Sequence, residues 1–275
     1  MKRILSLIIF CTVSFISTVQ AQCSLKDETF TEGEKVTYDL YFKWGLLMPK
    51  AGSAILSGQK ATHNNNPAWH YQLLYRTNGI VDKAFKVRDT IDCYFTPQQP
   101  YQLFSSKRTL EGGYYQTDNI TFSYKDNKTN AHSLRRSLTA VKVDTNFVSN
   151  ECMFDVLGAL MQIRSLDWTK MKTGDQFPLR VVMGRDYISV SYKYVGQQIV
   201  ERGDVKYRTR YFTVDILDEA FTQSKEAAEI WIGDDENHLP IKIRAKLKIG
   251  AAEAYYNSSS GLRHPLNSRF VISKR

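Results

Sequence analysis

The chain has 275 residues, 43% hydrophobic and 12% aromatic, with 37 Lys and Arg against 28 Asp and Glu, a formal net charge of +9. The apolar fraction is ordinary for a globular protein, and after the N-terminus no apolar stretch reaches the roughly 20 residues that a membrane helix needs. The positive balance suits solubility, or attraction to anionic headgroups, acidic polysaccharide or nucleic acid.

In chain order, Lys2 and Arg3, the apolar run 4–16 and the small-residue ending Val19-Gln20-Ala21 make the three-part layout of a secretory signal peptide. The reading is therefore a signal peptide over 1–21, an exported chain in the periplasm or cell envelope, and a single mainly-β domain over 22–275. Cys23 is not read as lipidated, because Gln22 stands where that signal needs Gly or Ala.

From residue 35 the dominant period is two, the mark of half-buried strands. Val36, Tyr38, Leu40, Phe42 and Trp44 alternate with Thr37, Asp39, Tyr41 and Lys43; Trp69, Tyr71, Leu73 and Tyr75 repeat the pattern. Further strands are predicted at 85–95, 101–110, 115–124, 133–143, 177–183, 187–194, 207–216, 228–232, 241–249 and 251–256. Gly112-Gly113 and Asp126-Asn127 read as hairpin turns. Residues 153–166 break the rule: Phe154, Leu157, Leu160 and Met161 carry helical spacing behind Asp155. The prediction is a curved antiparallel sheet or half-open β-barrel of about ten strands, with one amphipathic helix packed on its concave side.

The acidic loop 233–238, Gly-Asp-Asp-Glu-Asn-His, reads as a turn between strands and not as a metal site, since it lacks calcium-loop spacing. Beyond it, Lys242, Arg244, Lys246 and Lys248 alternate with apolar residues, setting four cations on one strand face. Lys206, Arg208 and Arg210 make a second row; if the two strands are neighbours, the rows form a basic surface for phosphates or carboxylates. Of the three cysteines beyond the signal, Cys93 and Cys152 are expected buried and unreactive, and Cys23 in a mobile arm. No hydrolase, zincin, P-loop or dinucleotide motif is present, so no catalytic residue, metal or cofactor is assigned.

The order of small motifs resembles an exported bacterial family, domain of unknown function 3108, over about 30–255. The motifs are Glu32-Gly33-Glu34, Trp44-Gly45, Ala51-Gly52, Arg88-Asp89, Phe154-Asp155-Val156-Leu157, Gly174-Asp175 and the closing Trp231-Ile232 through Leu239-Pro240-Ile241. The family is similar in architecture to the half-barrel lipoprotein carriers of the bacterial envelope, which hold acyl chains in a concave apolar face. The resemblance implies no catalytic residue. The expected function is a non-enzymatic envelope protein binding a lipid, acyl chain or other anionic amphiphile, with Trp44, Trp69, Tyr71, Leu160 and the Lys242–Lys248 row as ligand-binding positions. The alternatives are a protein-interaction or assembly module of the envelope and a hydrolase of envelope polymers. Nucleic acid is not expected as a partner, because export removes it and no reading motif accompanies the charge.

Overall fold

The computed structural model describes residues 23–217, 226–247 and 249–271. The signal-like segment 1–21 and Lys248 lie outside the described residues. The strands are β1 (Lys35–Lys43), β2 (Lys50–His63), β3 (Asn66–Thr77), β4 (Arg88–Phe95), β5 (Gln102–Glu111), β6 (Tyr114–Lys125), β7 (Lys128–Ser137), β8 (Val141–Ser149) and β9 (Met153–Phe154). After them come β10 (Gln176–Val182), β11 (Tyr187–Arg202), β12 (Val205–Ile216), β13 (Ala228–Gly233), β14 (Pro240–Lys246), β15 (Ala251–Ser260) and β16 (Arg269–Val271). Two helices interrupt them, α1 (Gly79–Ala84) and α2 (Val156–Arg164).

One continuous sheet runs β8-β7-β6-β5-β4-β3-β2-β1-β15-β14-β13-β12-β11-β10-β9, with β16 added beside β12. It curls into a nearly closed barrel with an unsealed seam between its two ends. Neighbours pair antiparallel except β9 and β10, which are parallel. Side chains bridge the seam where the ladder does not: Phe147 of β8 meets Tyr187 of β11 edge-on at 5.5 Å, and Arg180 reaches Glu151 at 3.1 Å. Arg135 of β7 donates to the Met183 carbonyl at 3.2 Å, and a Cys23–Cys152 disulfide ties the first described residue to the segment before β9.

The mainly-β, half-open-barrel expectation holds, with fifteen strands in the barrel path instead of about ten and two helices instead of one. β2 is the chief omission. Its inward residues are Gly52, Ala54, Leu56 and Gly58, too small to register as an apolar row. The smallness is forced: a Cβ on Gly52 would lie 2.1 Å from the Arg76 carbonyl oxygen, and one on Gly58 would lie 2.4 Å from the Tyr71 ring. The predicted strand 133–143 merges the end of β7 with the start of β8 across a turn closed by Ser137 N–H to the Ala140 carbonyl at 2.9 Å. Phe85 and Val87 mimic strand alternation, but Phe85 caps α1 and β4 begins at Arg88.

The helix is shorter than 153–166, because Met153 and Phe154 form β9. Asp155 caps its N-terminus, accepting from Gly158 N–H at 2.7 Å. Leu157, Gly158, Ala159, Met161, Ile163 and Arg164 are all buried, so α2 packs on the concave side as expected and forms a plug enclosed by sheet. Leu160, expected to face a cavity, is half-buried and packs on the core. At the far end of the plug, the fully buried Arg164 donates to both carboxylate oxygens of buried Glu34, at 3.1 and 2.7 Å, and to the Asn237 carbonyl at 3.2 Å. Burial opposes the Arg164 charge, yet the adjacent Glu34 carboxylate overcomes it and raises the guanidinium's pKa.

Candidate functional site

Among the described residues, a large, mainly apolar concavity opens at the barrel end where β2 turns into β3. It measures about 600 Å³, within the range of small-molecule sites. Phe30, just after a 3₁₀ turn at Asp27–Thr29, forms the floor with Trp69 of β3; Pro67 and Pro97 build the walls, and Lys60 and Arg263 stand at the edge. Phe30 sits 6.1 Å from the Trp69 ring, 5.2 Å from Tyr71 and 5.1 Å from Phe95, the last two edge-on. The period-two pattern of β3 places Trp69 and Tyr71 on this same inward face. The Trp69 indole N–H is buried and has no hydrogen-bond partner. Above it, the Lys60 ammonium lies 5.9 Å from the ring and pairs with Glu32 at 3.4 Å, and Arg263 donates to the Asp27 carbonyl.

Of the predicted ligand positions, the fold brings only Trp69 and Tyr71 together. Tyr71 is fully buried beneath Phe30; its hydroxyl accepts from Thr31 N–H at 2.9 Å and donates to the Thr29 carbonyl, and burial raises the phenol's pKa. Trp44 is at the opposite end of the barrel, 61% exposed on the β1–β2 hairpin, because its strand alternation ends one residue earlier.

The basic row is likewise not a free cationic face. Lys242 pairs with Glu253 at 3.8 Å, Arg244 with Glu229 at 3.1 Å, and Lys246 with Glu226 at 3.5 Å. Register explains this: Arg244 stands directly between Glu229 on β13 and Glu253 on β15. Burial lowers the Lys242 pKa against the pull of those carboxylates, and its ammonium also sits 4.4 Å over the Trp231 ring. The second row is not adjacent to the first, since β13 separates β12 from β14. Lys206 pairs with Glu201, Arg210 with Asp234 at 2.9 Å, and Arg208 donates to the Asn267 carbonyl.

A buried polar cluster escaped sequence reasoning. The Asp155 carboxylate accepts from Gln102 Nε2 at 2.6 Å, Ser105 Oγ at 2.7 Å and the Cys93 thiol at 3.2 Å, besides capping α2. Strand register lines up Tyr71, Cys93, Ser105, Ile120 and Ser133 across β3 to β7, which puts two of these polar groups, Cys93 and Ser105, side by side beneath the plug. Helix α2 approaches so closely that a Cβ on Gly158 would lie 2.2 Å from Gln102 Oε1. A cavity of about 90 Å³ opens above Asp155 and Ser105, edged by Lys107, Asp118 and Arg135. Burial, and then the Asp155 charge, push the Cys93 pKa well up, the reverse of what activates a thiol. The only signals in the sequence were an unpaired cysteine and a helix-opening aspartate. Cys23 is not in a mobile arm as expected; it is the partner of Cys152, and Cys93 is the buried free thiol. Among the described residues, no group of three or more His, Cys, Asp or Glu is placed to hold a metal ion.

The pattern described as "Protein of unknown function (DUF3108)" matches residues 37–256. The chain belongs to the DUF3108 family. No curated protein matches it. Among solved structures, the chain is similar to a "Beta-barrel-like Protein of Domain of Unknown Function DUF1849 from Brucella abortus", with a TM-score of 0.57 at 8% identity, over 86% of this chain and 100% of that one. At that identity the likeness concerns the fold alone.

The closing motif by which the chain resembled DUF3108 does structural work here. Asp235 accepts from Asn237 N–H and Ser268 N–H, both at 3.0 Å, and Asn237 donates to the His264 and Pro265 carbonyls. Asp234 holds Arg210, while His238 stacks on Trp168 at 3.9 Å and bonds the Arg164 carbonyl. This DUF3108 loop is thus a turn that fastens the C-terminal segment and the end of α2 to the sheet, as its composition suggested.

Proposed function

We propose that this protein is an exported, non-enzymatic component of the bacterial cell envelope that binds an amphiphile, such as a lipid or acyl chain, in the Phe30–Trp69 cleft. The observation carrying this reading is the cleft itself: about 600 Å³ of mainly apolar wall, an indole N–H without a partner, and two cations at the edge. Export is supported by the signal-like N-terminus and by the Cys23–Cys152 disulfide, a bond that persists in oxidising compartments. Native mass spectrometry of protein from its host, with organic extraction, should recover an amphiphile. A fluorescent fatty-acid probe should bind, and Trp69→Ala should weaken it about tenfold, the loss of one large apolar contact. No extracted amphiphile and no probe uptake would overturn the reading.

The second reading, a protein-interaction or assembly module, is favoured by one feature. Plug α2 and the Glu34–Arg164 pair fill the middle of the barrel, so any long acyl chain must lie in the surface cleft instead of running through the interior. Crosslinking in intact cells that captured one stoichiometric envelope protein, with the cleft empty, would put this reading first.

A further inference from the structure

The two rims of the barrel differ in kind. Because the strands form a meander, alternate connections fall at the same end: β1–β2, the α1 connection, β5–β6, β7–β8, β10–β11 and β14–β15 share one rim. Contacts between them agree with this: Gly112 N–H bonds the Lys86 carbonyl, Arg135 reaches Met183, and Lys43 is in register with Ala251. The opposite rim is turned by exposed polar pairs, Asn64-Asn65, Gln98-Gln99 and Asp126-Asn127. The first rim instead presents Leu46 at 104% relative exposure, Ile80 at 85%, Leu138 at 78%, Ile249 at 66% and Trp44 at 61%, from four different connections. Among the described residues, most exposed large apolar side chains lie there, with Val148, Val195, Ile199 and Val271 on strands and Val156 on α2 the exceptions. Turns are ordinarily polar, and apolar tips gathered at one end mark a contact surface.

The charge on that rim selects the partner. Lys83, Lys86, Arg136, Lys142 and Arg185 are exposed there, and none of them forms an ion pair among the described residues. Among the described residues the rim's carboxylates are fewer, namely Asp82, Glu111, Asp186 and Glu226, and Asp82 and Glu226 are already taken by Arg88 and Lys246. Apolar tips surrounded by uncommitted cations are what an anionic bilayer surface accepts: the tips enter the headgroup boundary and the cations meet phosphates. Trp44 adds the side chain most suited to that interface.

We propose that this rim docks the protein on the surface of an anionic phospholipid bilayer, without spanning it. The docking rim and the Phe30–Trp69 cleft are at opposite ends of the barrel, so the two proposals stand or fall separately.

The test is co-sedimentation of the protein, purified from its host without detergent, with phosphatidylcholine vesicles and with vesicles holding roughly one-third phosphatidylglycerol. Binding is expected to the anionic vesicles, to weaken in high salt, and to be slight to phosphatidylcholine alone. Leu46→Asp with Leu47→Asp should weaken it at least about tenfold, and Lys83→Glu with Lys86→Glu severalfold. The same charge change on the polar rim, Lys125→Glu with Lys128→Glu, should have a smaller effect. These positions are exposed, so melting temperatures should not move and misfolding cannot mimic the result. Trp69→Ala should leave vesicle binding intact, and the Leu46/Leu47 variant should keep probe uptake in the cleft. No binding to anionic vesicles, or binding indifferent to Leu46 and Leu47, overturns the proposal. So does concentration-dependent self-association abolished by those substitutions, which would identify a second copy as the occupant.

Discussion

Replacing Glu34 by Gln tests whether the plug is locked electrostatically. Arg164 and Glu34 are both buried, and their paired bonds of 2.7 and 3.1 Å join α2 to the start of β1. In Glu34→Gln the guanidinium keeps its charge and loses its counter-ion, retaining the Asn237 carbonyl at 3.2 Å; its Nε already lacks a partner. Breaking a buried pair from one side costs about 3–5 kcal/mol, because an uncompensated charge stays in the interior. For a chain of this size that corresponds to a fall in Tm of roughly 6–20 °C. The double change Glu34→Gln with Arg164→Met removes the stranded charge as well, and should recover at least about half of the loss in a double-mutant cycle. Thermal melts followed by near-ultraviolet circular dichroism, together with urea midpoints, would measure Glu34→Gln, Arg164→Met and the double variant. If Glu34→Gln melts within about 2 °C of the parent, or the double variant loses the sum of the single losses, the pair does not hold the plug.

Of the cysteines at 23, 93 and 152, thiol labelling under non-reducing denaturation should modify only Cys93, which should be almost unlabelled in native protein; reduction should then destabilise the fold by about 4–5 kcal/mol, the loop-closure value for a ring of more than a hundred residues. Leu157→Asp, at a fully buried position of α2, should cost several kcal/mol, whereas Leu160→Asp on its half-buried side should cost much less; equal losses in urea would mean the helix is rotated from the orientation described. Burial lowers the His238 pKa, so this ring is held neutral against Trp168. Its contribution is therefore complete above the unfolded value of about 6.5 and is lost as pH falls through its lower folded value. His238→Gln should be less sensitive than the parent to a drop from pH 8 to pH 5.5, and an unchanged pH slope in Tm would refute this.

Period-two alternation gave most of the barrel, because inward Val36, Tyr38, Ile91, Cys93 and Phe95 contrast with polar outward neighbours. It failed where packing removed the contrast: Gly52 and Gly58 on β2 are small because neighbouring strand atoms press against them. The Asn64-Asn65 turn between β2 and β3, both residues at positive φ, was a readable hairpin signal once β2 was recognised. Trp69 and Tyr71 were legible as inward aromatics. The cleft over them was not, since Phe30, Pro97 and Arg263 come from distant parts of the chain. Of the basic row, Lys242, Arg244 and Lys246 do fall on one strand, which ends at Lys246 instead of reaching 249, and Lys248 lies outside the described residues. The row's neutralisation was invisible because Glu229 and Glu253 reach it only through cross-strand register.

The pairing of β1 with β15 has a kinetic meaning. Lys35 lies opposite Ser260, so the strand made early in synthesis finds this neighbour only after nearly all the rest of the chain has been made. Strands β1 to β8 can zip between sequence neighbours, as can β10 to β15, but the two halves join only where β1 meets β15, a long-range pairing whose closure entropy is paid last. Until then β1 and β15 are both open edges, able to recruit a foreign strand. Folding of this barrel should therefore be slow in its final step, and a chain stopped before residue 251 would hold a well-formed meander with an unprotected edge.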